Sequence, residues 1–256
     1  MKRTPFVSFV GAGPGDPELV TLKALRRLRQ AAVVIHDRLI PMTLLEEAPP
    51  DAEIIDAGKA PGHHCLAQEQ INGLLVDRAR RRGPVVRLKG GDPAVFARLA
   101  EEIAAVRAAA IAFEVVPGVS AAMAAAARVG ISLTERGRAA TLTLAAGADH
   151  AGLGVAALDW DALGRAGGTL AVYMPVQGLE SLTTALLAAG RDEREPALVV
   201  ERIGLADEQF VAGRLATIAE HARIAGVAAP ALLLVGPTVA TASIPLTMRR
   251  ATFAGA

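Results

Sequence analysis

Residues 7–19 read VSFVGAGPGDPEL, an apolar run that ends in a glycine-rich turn and leads into an amphipathic segment. The β-branched and aromatic residues before the turn favour a strand, and the leucines after it recur at helical spacing. Glycine-rich turns between a strand and a helix commonly hold phosphate groups. The stretch therefore predicts an α/β fold and leaves three roles for its turn: a phosphate site, a site for another ligand, or a connection only.

Two nucleotide-binding motifs can be compared with this turn. A P-loop needs Lys and then Ser or Thr after its last glycine, and we exclude it because Asp16 and Pro17 follow instead. A dinucleotide fingerprint, GxGxxG, fits better, since Gly11 and Gly13 match it and Asp37 stands where an acid would bind the ribose. An NAD-dependent dehydrogenase is therefore one alternative for the function.

Two residues of the turn argue against a bound pyrophosphate. Asp16 occupies the third glycine position and would bring negative charge to the anion, and Pro14 removes an amide donor. In the simplest interpretation the turn holds no ligand, Asp16 or Thr21 caps the helix, and Pro17 begins it. A ligand that is not anionic at this point is also compatible with the turn.

Composition narrows the function classes. The chain has 256 residues, of which 52% are hydrophobic and 3% aromatic, and its net charge is +1. No apolar run reaches the roughly 18 residues that a membrane span needs, and the small charge and few aromatics argue against nucleic acid. The start is basic and then apolar but lacks a small-residue cleavage site, so we expect a cytoplasmic protein.

The cysteine content also restricts the function. Cys65 is the only cysteine, which excludes an internal disulfide and fits a reducing compartment. It follows His63 and His64, but this spacing matches no usual zinc pattern. We therefore predict no metal.

Short β-branched runs alternate with Ala- and Leu-rich amphipathic segments along the chain, a pattern typical of βαβ units. The alternation breaks between residues 117 and 140. We therefore predict two α/β domains, at 1–117 and 140–245. A linker at 118–139, with the pattern of a small-residue helix and a loop, joins them, and a weakly patterned tail follows at 246–256.

The strand–turn–helix pattern of residues 7–19 occurs twice more, in VVRLKGGDPAVF at 85–96 and VVPGVSAA at 115–122. Gly90 and Gly91 allow a close approach of the backbone, and Asp92 either caps a helix or binds a small polar ligand. Ligands of open parallel sheets bind at the carboxyl ends of the strands. Three such turns in one half of the chain therefore indicate a ligand site.

These motifs together resemble the tetrapyrrole methylases. The resemblance is carried by VGAGPGDPELVTLKAL, VVIHDRLI, GK at 58–59, VVRLKGGDPAVF and FEVVPGVSAA, and more weakly by YMP at 173–175 and VVERIG at 199–204. It implies two α/β domains of the tetrapyrrole-methylase type with the active site in the cleft between them, and a homodimer. The implied cofactor is S-adenosyl-L-methionine, with S-adenosyl-L-homocysteine as product. A sulfonium ligand without phosphate would explain Pro14 and Asp16.

The resemblance also assigns site residues. Asp37 is the implied proton acceptor and Lys59 the proton donor, although the two could equally form a structural ion pair. The substrate is a tetrapyrrole rich in carboxylates, which Arg38, Arg98 and Arg136 are candidates to bind, with solvated surface positions as the alternative. The implied cofactor contacts are Pro14, Gly90, Gly91, Asp92, Val95, Ser120, Ala121, Met174 and Ile203.

Some positions depart from the family pattern and bear on the substrate. Arg98, Leu99 and Ala100 replace glycines, Glu135 replaces a histidine, and Ile203 replaces a glycine. The first hypothesis is double methylation of uroporphyrinogen III to precorrin-2. The alternatives are methylation of a later precorrin intermediate, the NAD-dependent dehydrogenase, and a cofactor-binding protein without catalysis.

Overall fold

Alternating strands and helices form two units in the computed structural model, one up to Ser120 and one from Ala121 onward. The structure describes residues 4–58, 66–148 and 158–243, and the backbone of 249–252. Each unit combines one sheet with packed helices, as the alternating sequence pattern predicts.

The first unit contains a five-stranded sheet in the order β3-β2-β4-β1-β5, in which every paired strand is parallel. Its elements are β1 (Phe6–Gly11), α1 (Leu22–Leu28), β2 (Val33–His36), α2 (Met42–Leu45), β3 (Glu53–Asp56), α3 (Gln68–Arg82), β4 (Val85–Lys89), α4 (Leu99–Ala108) and β5 (Ala112–Val116). Short 3₁₀ turns also occur, of which Pro17–Leu19 precedes α1.

Apolar side chains cover both faces of this sheet. Phe9 and Ile35 belong to the core on the face of α3, and Val10 and Leu88 belong to the core on the face of α1. All five residues of β4 are buried, as is typical of a central parallel strand. This strand nevertheless carries an arginine and a lysine, which bear on the site below.

The second unit contains a six-stranded mixed sheet in the order β11-β9-β8-β10-β7-β6. Strands β6 and β7 pair in parallel, as do β9 and β11, whereas the pairs β8–β9, β8–β10 and β7–β10 are antiparallel. The elements are α5 (Ala121–Arg128), β6 (Leu142–Ala146), α6 (Trp160–Arg165), β7 (Thr169–Tyr173), α7 (Leu179–Ala188), β8 (Pro196–Glu201), β9 (Gln209–Arg214), α8 (Ile218–Ile224), β10 (Ala231–Val235) and β11 (Arg249–Thr252).

Elements of the second unit lie within the expected linker and within the expected tail. The expected linker, 118–139, includes α5, whose buried alanines let it pack closely in the second unit. The expected tail, 246–256, includes β11, whose backbone pairs with β9. Strand β9 itself was not predicted. Within the described ranges, no helix has the length and apolar character that a membrane crossing needs.

Candidate active site

The three glycine turns lie next to one another at the carboxyl edge of the first sheet. They follow β1, β4 and β5, which are neighbours in the strand order. Gly91 N donates to Gly13 O at 2.7 Å and Gly13 N donates to Gly91 O at 3.3 Å, so the first two turns are bonded directly. Ala12 N also donates to Lys89 O at 2.8 Å.

Asp92 joins the third turn to the second. Its Oδ2 accepts from Gly118 N at 3.0 Å, and its Oδ1 accepts from Ala94 N at 2.8 Å. A Cβ added at Gly11 would lie 2.6 Å from Gly118 N and 2.7 Å from Gly91 O. Only glycine fits at position 11, so the three turns form one interlocked backbone surface.

The helix predicted to start directly after Asp92 begins later. Helix α4 starts at Leu99, because Phe96 and Arg98 adopt positive φ angles of 51° and 54° that interrupt a helix. Asp92 therefore holds turns together instead of capping α4. Val95 is half-buried in this intervening loop, and its N–H donates to Asp92 O at 3.1 Å.

The first turn has few amides left for an anion. The amides of Ala12 and Gly13 are bonded to backbone oxygens, and Pro14 has none. Asp16 accepts from Glu18 N at 2.9 Å and Thr21 Oγ1 accepts from Ala24 N at 3.1 Å, so both predicted caps are present, on the 3₁₀ turn and on α1. These contacts suit a ligand without phosphate better than a pyrophosphate.

Asp37 lies at the same edge, directly after β2. Its Oδ1 accepts from Arg87 Nη2 at 2.5 Å, and its Oδ2 accepts from Gly90 N at 3.3 Å. The side chain is 36% exposed. The structure therefore brings the predicted proton acceptor together with the predicted cofactor turn, Gly90–Asp92.

A buried group of charges lies behind Asp37, and sequence reasoning assigned it no role. Glu102 of α4 accepts from Arg87 Nε at 3.0 Å and from Lys89 Nζ at 2.9 Å, and Gln68 Nε2 lies 3.3 Å from its Oε1. The exposed fractions of the Arg87, Lys89 and Glu102 side chains are 3%, 2% and 0%. One sequence feature could have indicated this buried group. Arg87 and Lys89 occupy alternate positions of the otherwise apolar strand VVRLK, so both point to the same face of the sheet.

The charges in this group shift one another's pKa values. Burial lowers the pKa of Lys89, and the neighbouring Arg87 cation lowers it further. Burial would also lower the pKa of Arg87, but the carboxylates of Asp37 and Glu102 outweigh burial and raise it. Arg87 is therefore a permanent cation between two carboxylates.

The predicted cofactor residues of the second unit lie at element ends. Ala121 begins α5 directly after the buried Ser120, and Ala122 N donates to Tyr173 Oη at 3.1 Å. Met174 follows β7 with a positive φ of 55° and is 47% exposed. Ile203 is buried in the loop after β8.

Glu208 connects the Ile203 loop to α5. This carboxylate is nearly buried, accepts from Arg128 Nε at 2.6 Å, and accepts from Gly204 N at 3.2 Å. Sequence reasoning noted no role for it. The contacts place two predicted cofactor segments, Ala121 and Ile203, on elements that are bonded to each other.

The predicted substrate arginines are distributed over loops. Arg38 is exposed beside Asp37, and Arg136 is exposed in the loop after α5. Arg98 makes a bidentate pair with Glu101, with both bonds at 2.7 Å. Lys59 lies outside the described residues, as do His63, His64 and Cys65; among the residues described, no group of three or more metal-ligating side chains occurs.

Comparisons with known proteins identify the family to which this chain is similar. A model of the Tetrapyrrole (Corrin/Porphyrin) Methylases matches residues 7–219. A siroheme synthase of Chromobacterium violaceum is 45% identical over 93% of this chain and 50% of that protein. A uroporphyrinogen-III C-methyltransferase of Priestia megaterium is 41% identical over 91% of this chain and 98% of the relative.

A solved structure is similar in fold as well as sequence. It is the uroporphyrin-III C-methyl transferase of Thermus thermophilus complexed with S-adenyl homocysteine, with a TM-score of 0.78 and 41% identity over 91% of this chain and 98% of that one. This chain spans about half the length of the siroheme synthase. The matched region contains all three glycine turns and Asp37, and the chain belongs to the tetrapyrrole methylase family.

Proposed function

We propose that this protein is an S-adenosylmethionine-dependent C-methyltransferase that methylates uroporphyrinogen III at C2 and C7 to give precorrin-2, in sirohaem and cobalamin biosynthesis. The observation that carries the proposal is the interlocked surface of three turns beside Asp37, in which the amides of Ala12 and Gly13 are bonded to backbone oxygens and Pro14 has none. The uroporphyrinogen-III C-methyltransferase of Priestia megaterium, 41% identical, supports the substrate.

The glycine turns suit a ligand that carries no phosphate and lies close to the backbone. S-adenosylmethionine supplies an electrophilic methyl group on a sulfonium cation, and it carries no phosphate. Gly90 and Gly91 admit a ligand close to the backbone, and a Cβ added at Gly90 would meet nothing within 4 Å. The residues proposed to hold the cofactor are Pro14, Gly90, Gly91, Asp92, Val95, Ser120, Ala121, Met174 and Ile203.

The reaction requires alignment and proton removal. A C–C bond forms at a pyrrole carbon while the S–CH₃ bond breaks, S-adenosylhomocysteine leaves, and a proton is lost from the ring system. Asp37 is proposed to accept that proton, because its carboxylate is partly exposed at the turn edge and held by Arg87 and Gly90. Lys59 is proposed as the proton donor.

Arginines are proposed to bind the substrate carboxylates. Arg38 and Arg136 are exposed and able to meet an acidic ligand. Arg98 is already paired with Glu101, so a substrate carboxylate would have to share or displace that partner. We further propose that the protein is cytoplasmic and forms a homodimer. Light scattering after size-exclusion chromatography would test the homodimer by its molar mass.

The decisive assay incubates the protein with S-adenosylmethionine and uroporphyrinogen III and follows the product by mass. We expect a gain of two methyl groups. Calorimetry should show binding of S-adenosylhomocysteine and none of NAD. Binding of NAD alone would overturn the proposal, and cofactor binding without methylation of this substrate would reject the substrate, leaving a later precorrin to be tested.

A further inference from the structure

The buried charges behind the turn edge require an explanation beyond stability. Arg87, Lys89 and Glu102 are nearly inaccessible to water, and only Asp37 in the connected group reaches solvent. Burying charges costs free energy that their mutual attraction barely recovers, and apolar side chains of similar size commonly stabilise a core as well or better. The group therefore carries no evident stability advantage over an apolar core.

The guanidinium of Arg87 is fixed in orientation by four different acceptors. Nε donates to Glu102, Nη2 donates to Asp37, and Nη1 donates to Ile35 O at 3.4 Å and Leu88 O at 3.3 Å. Every nitrogen of the planar group is thus engaged. A lysine could supply the same charge but could not reproduce this fork.

Glu102 is held in turn from two sides. Lys89 Nζ lies 2.9 Å from each of its oxygens, and Gln68 provides a further donor. The connected group pairs two basic with two acidic side chains, and three of the four side chains are buried. Packing and hydrogen bonds thus extend without interruption from α4 to the Asp37 carboxylate.

We propose that Arg87 is a positioning residue, which holds the Asp37 carboxylate in the orientation needed for proton removal, and that Glu102 and Lys89 fix Arg87. The inference rests on the proposed function of Asp37. Asp37 has one oxygen on Arg87 and the other near Gly90 N, so its two oxygens face defined partners. Arg87 itself contacts no substrate and acts through Asp37.

The test compares Arg87→Lys with a matched control, Arg191→Lys. The Arg191 side chain is also 3% exposed, and it donates two hydrogen bonds to carboxylate oxygens, in this case both of Glu195 in the second unit. The rate of the first methylation is measured in single turnovers at saturating substrate. We expect R87K to lower this rate at least tenfold, with substrate KM and S-adenosylhomocysteine affinity within about twofold, and R191K to leave all three unchanged.

A double-mutant cycle separates positioning from general damage. In the Asp37→Asn background, we expect R87K to lower the remaining rate less than twofold, because its effect passes through Asp37. In a crystal structure of R87K, we expect the Asp37 carboxylate to have rotated away from Gly90 N. If D37N has no measurable rate, so that the cycle cannot be completed, this structure tests the proposal instead. If R87K does not fold, the same rate measurements and the same double-mutant cycle are made with Arg87→Gln.

Two results would overturn the inference. One is an R87K rate equal to wild type, and the other is an equal loss in the D37N and wild-type backgrounds. Failure of the proposed function looks different, since the wild-type protein would then yield no methylated tetrapyrrole.

Discussion

At the scale of single residues, glycine at position 11 is required by contact between backbones. The added Cβ would lie 2.6 Å from Gly118 N, 2.7 Å from Gly118 Cα and 2.7 Å from Gly91 O. Backbone atoms in bonded turns cannot move away as the end of a flexible side chain can. The restriction at Gly11 is therefore steric and does not come from its φ angle.

Gly11→Ala should destabilise the protein by about 1–3 kcal/mol, because the methyl group overpacks the junction of the turns. Gly73→Ala is the matched control, since Gly73 lies exposed within α3 and its Cβ would meet nothing within 4 Å. We expect this control to gain about 0.5–1 kcal/mol from helix propensity. Urea unfolding followed by circular dichroism measures both. Equal stability of G11A and wild type would contradict the contact geometry.

At the scale of elements, Glu114 joins two strands and a helix. It lies on β5 opposite Ser8 of β1, whose Oγ donates to it at 3.1 Å. Lys23 and Arg27 of α1 also bind it, with Lys23 Nζ at 2.7 Å from Oε2. Burial alone would raise the pKa of Glu114, but the bonds from Arg27, Lys23 and Ser8 outweigh burial and lower it from 4.5 to about 2.

This carboxylate makes stability depend on acid pH. Because the folded pKa is below the unfolded one, the stabilisation is complete above about pH 4.5 and is lost as the pH falls toward 2. Glu114→Gln should cost about 1–2 kcal/mol at pH 7, and its difference from wild type should shrink across this window. Urea unfolding at several pH values measures it, with Glu47→Gln as control for an exposed pair. A difference that is constant from pH 7 to 2 would contradict the assignment.

At the scale of the whole molecule, the two units use their sheets differently. The first sheet is wholly parallel, so its turns after β1, β4 and β5 all emerge at one edge. The second sheet is mixed, and its antiparallel strands β8 and β9 are joined by the loop that carries Ile203. The bonded glycines Gly11, Gly13, Gly91 and Gly118 and the carboxylate of Asp37 all belong to the first unit.

Ligand binding should stabilise the folded protein by linkage. S-adenosylhomocysteine at a hundred times its Kd should raise the free energy of unfolding by about 2.7 kcal/mol, since the unfolded chain has no assembled turns to bind it. Urea unfolding at increasing ligand concentration measures the rise, and NAD at the same concentrations is the control. A rise with NAD and none with S-adenosylhomocysteine would favour the dehydrogenase alternative.

Much of the local structure was predictable from periodicity and caps. Strand β4 occupies the apolar run VVRLK of the strand–turn–helix pattern at 85–96, and α3 ends directly before Gly83, a residue type that typically follows a helix. Prediction failed where local pattern conflicts with tertiary contact. Residues 94–98 have a helical pattern but form a loop, because Phe96 and Arg98 have positive φ angles. The small-residue helix predicted within the linker is present as α5, but the pattern did not specify that it packs in the second unit.

The sequence by itself determined the α/β class, the three turns and the family, because apolar period, glycine position and motif order are local properties of the chain. Only the tertiary structure decided what those turns contact. Hydrogen bonds between Gly13 and Gly91, and from Gly118 to Asp92, join residues far apart in sequence. The same holds for Arg87, whose link from Glu102 to Asp37 depends on strand order and helix packing. Such pairings follow from the fold, so no local pattern could specify them.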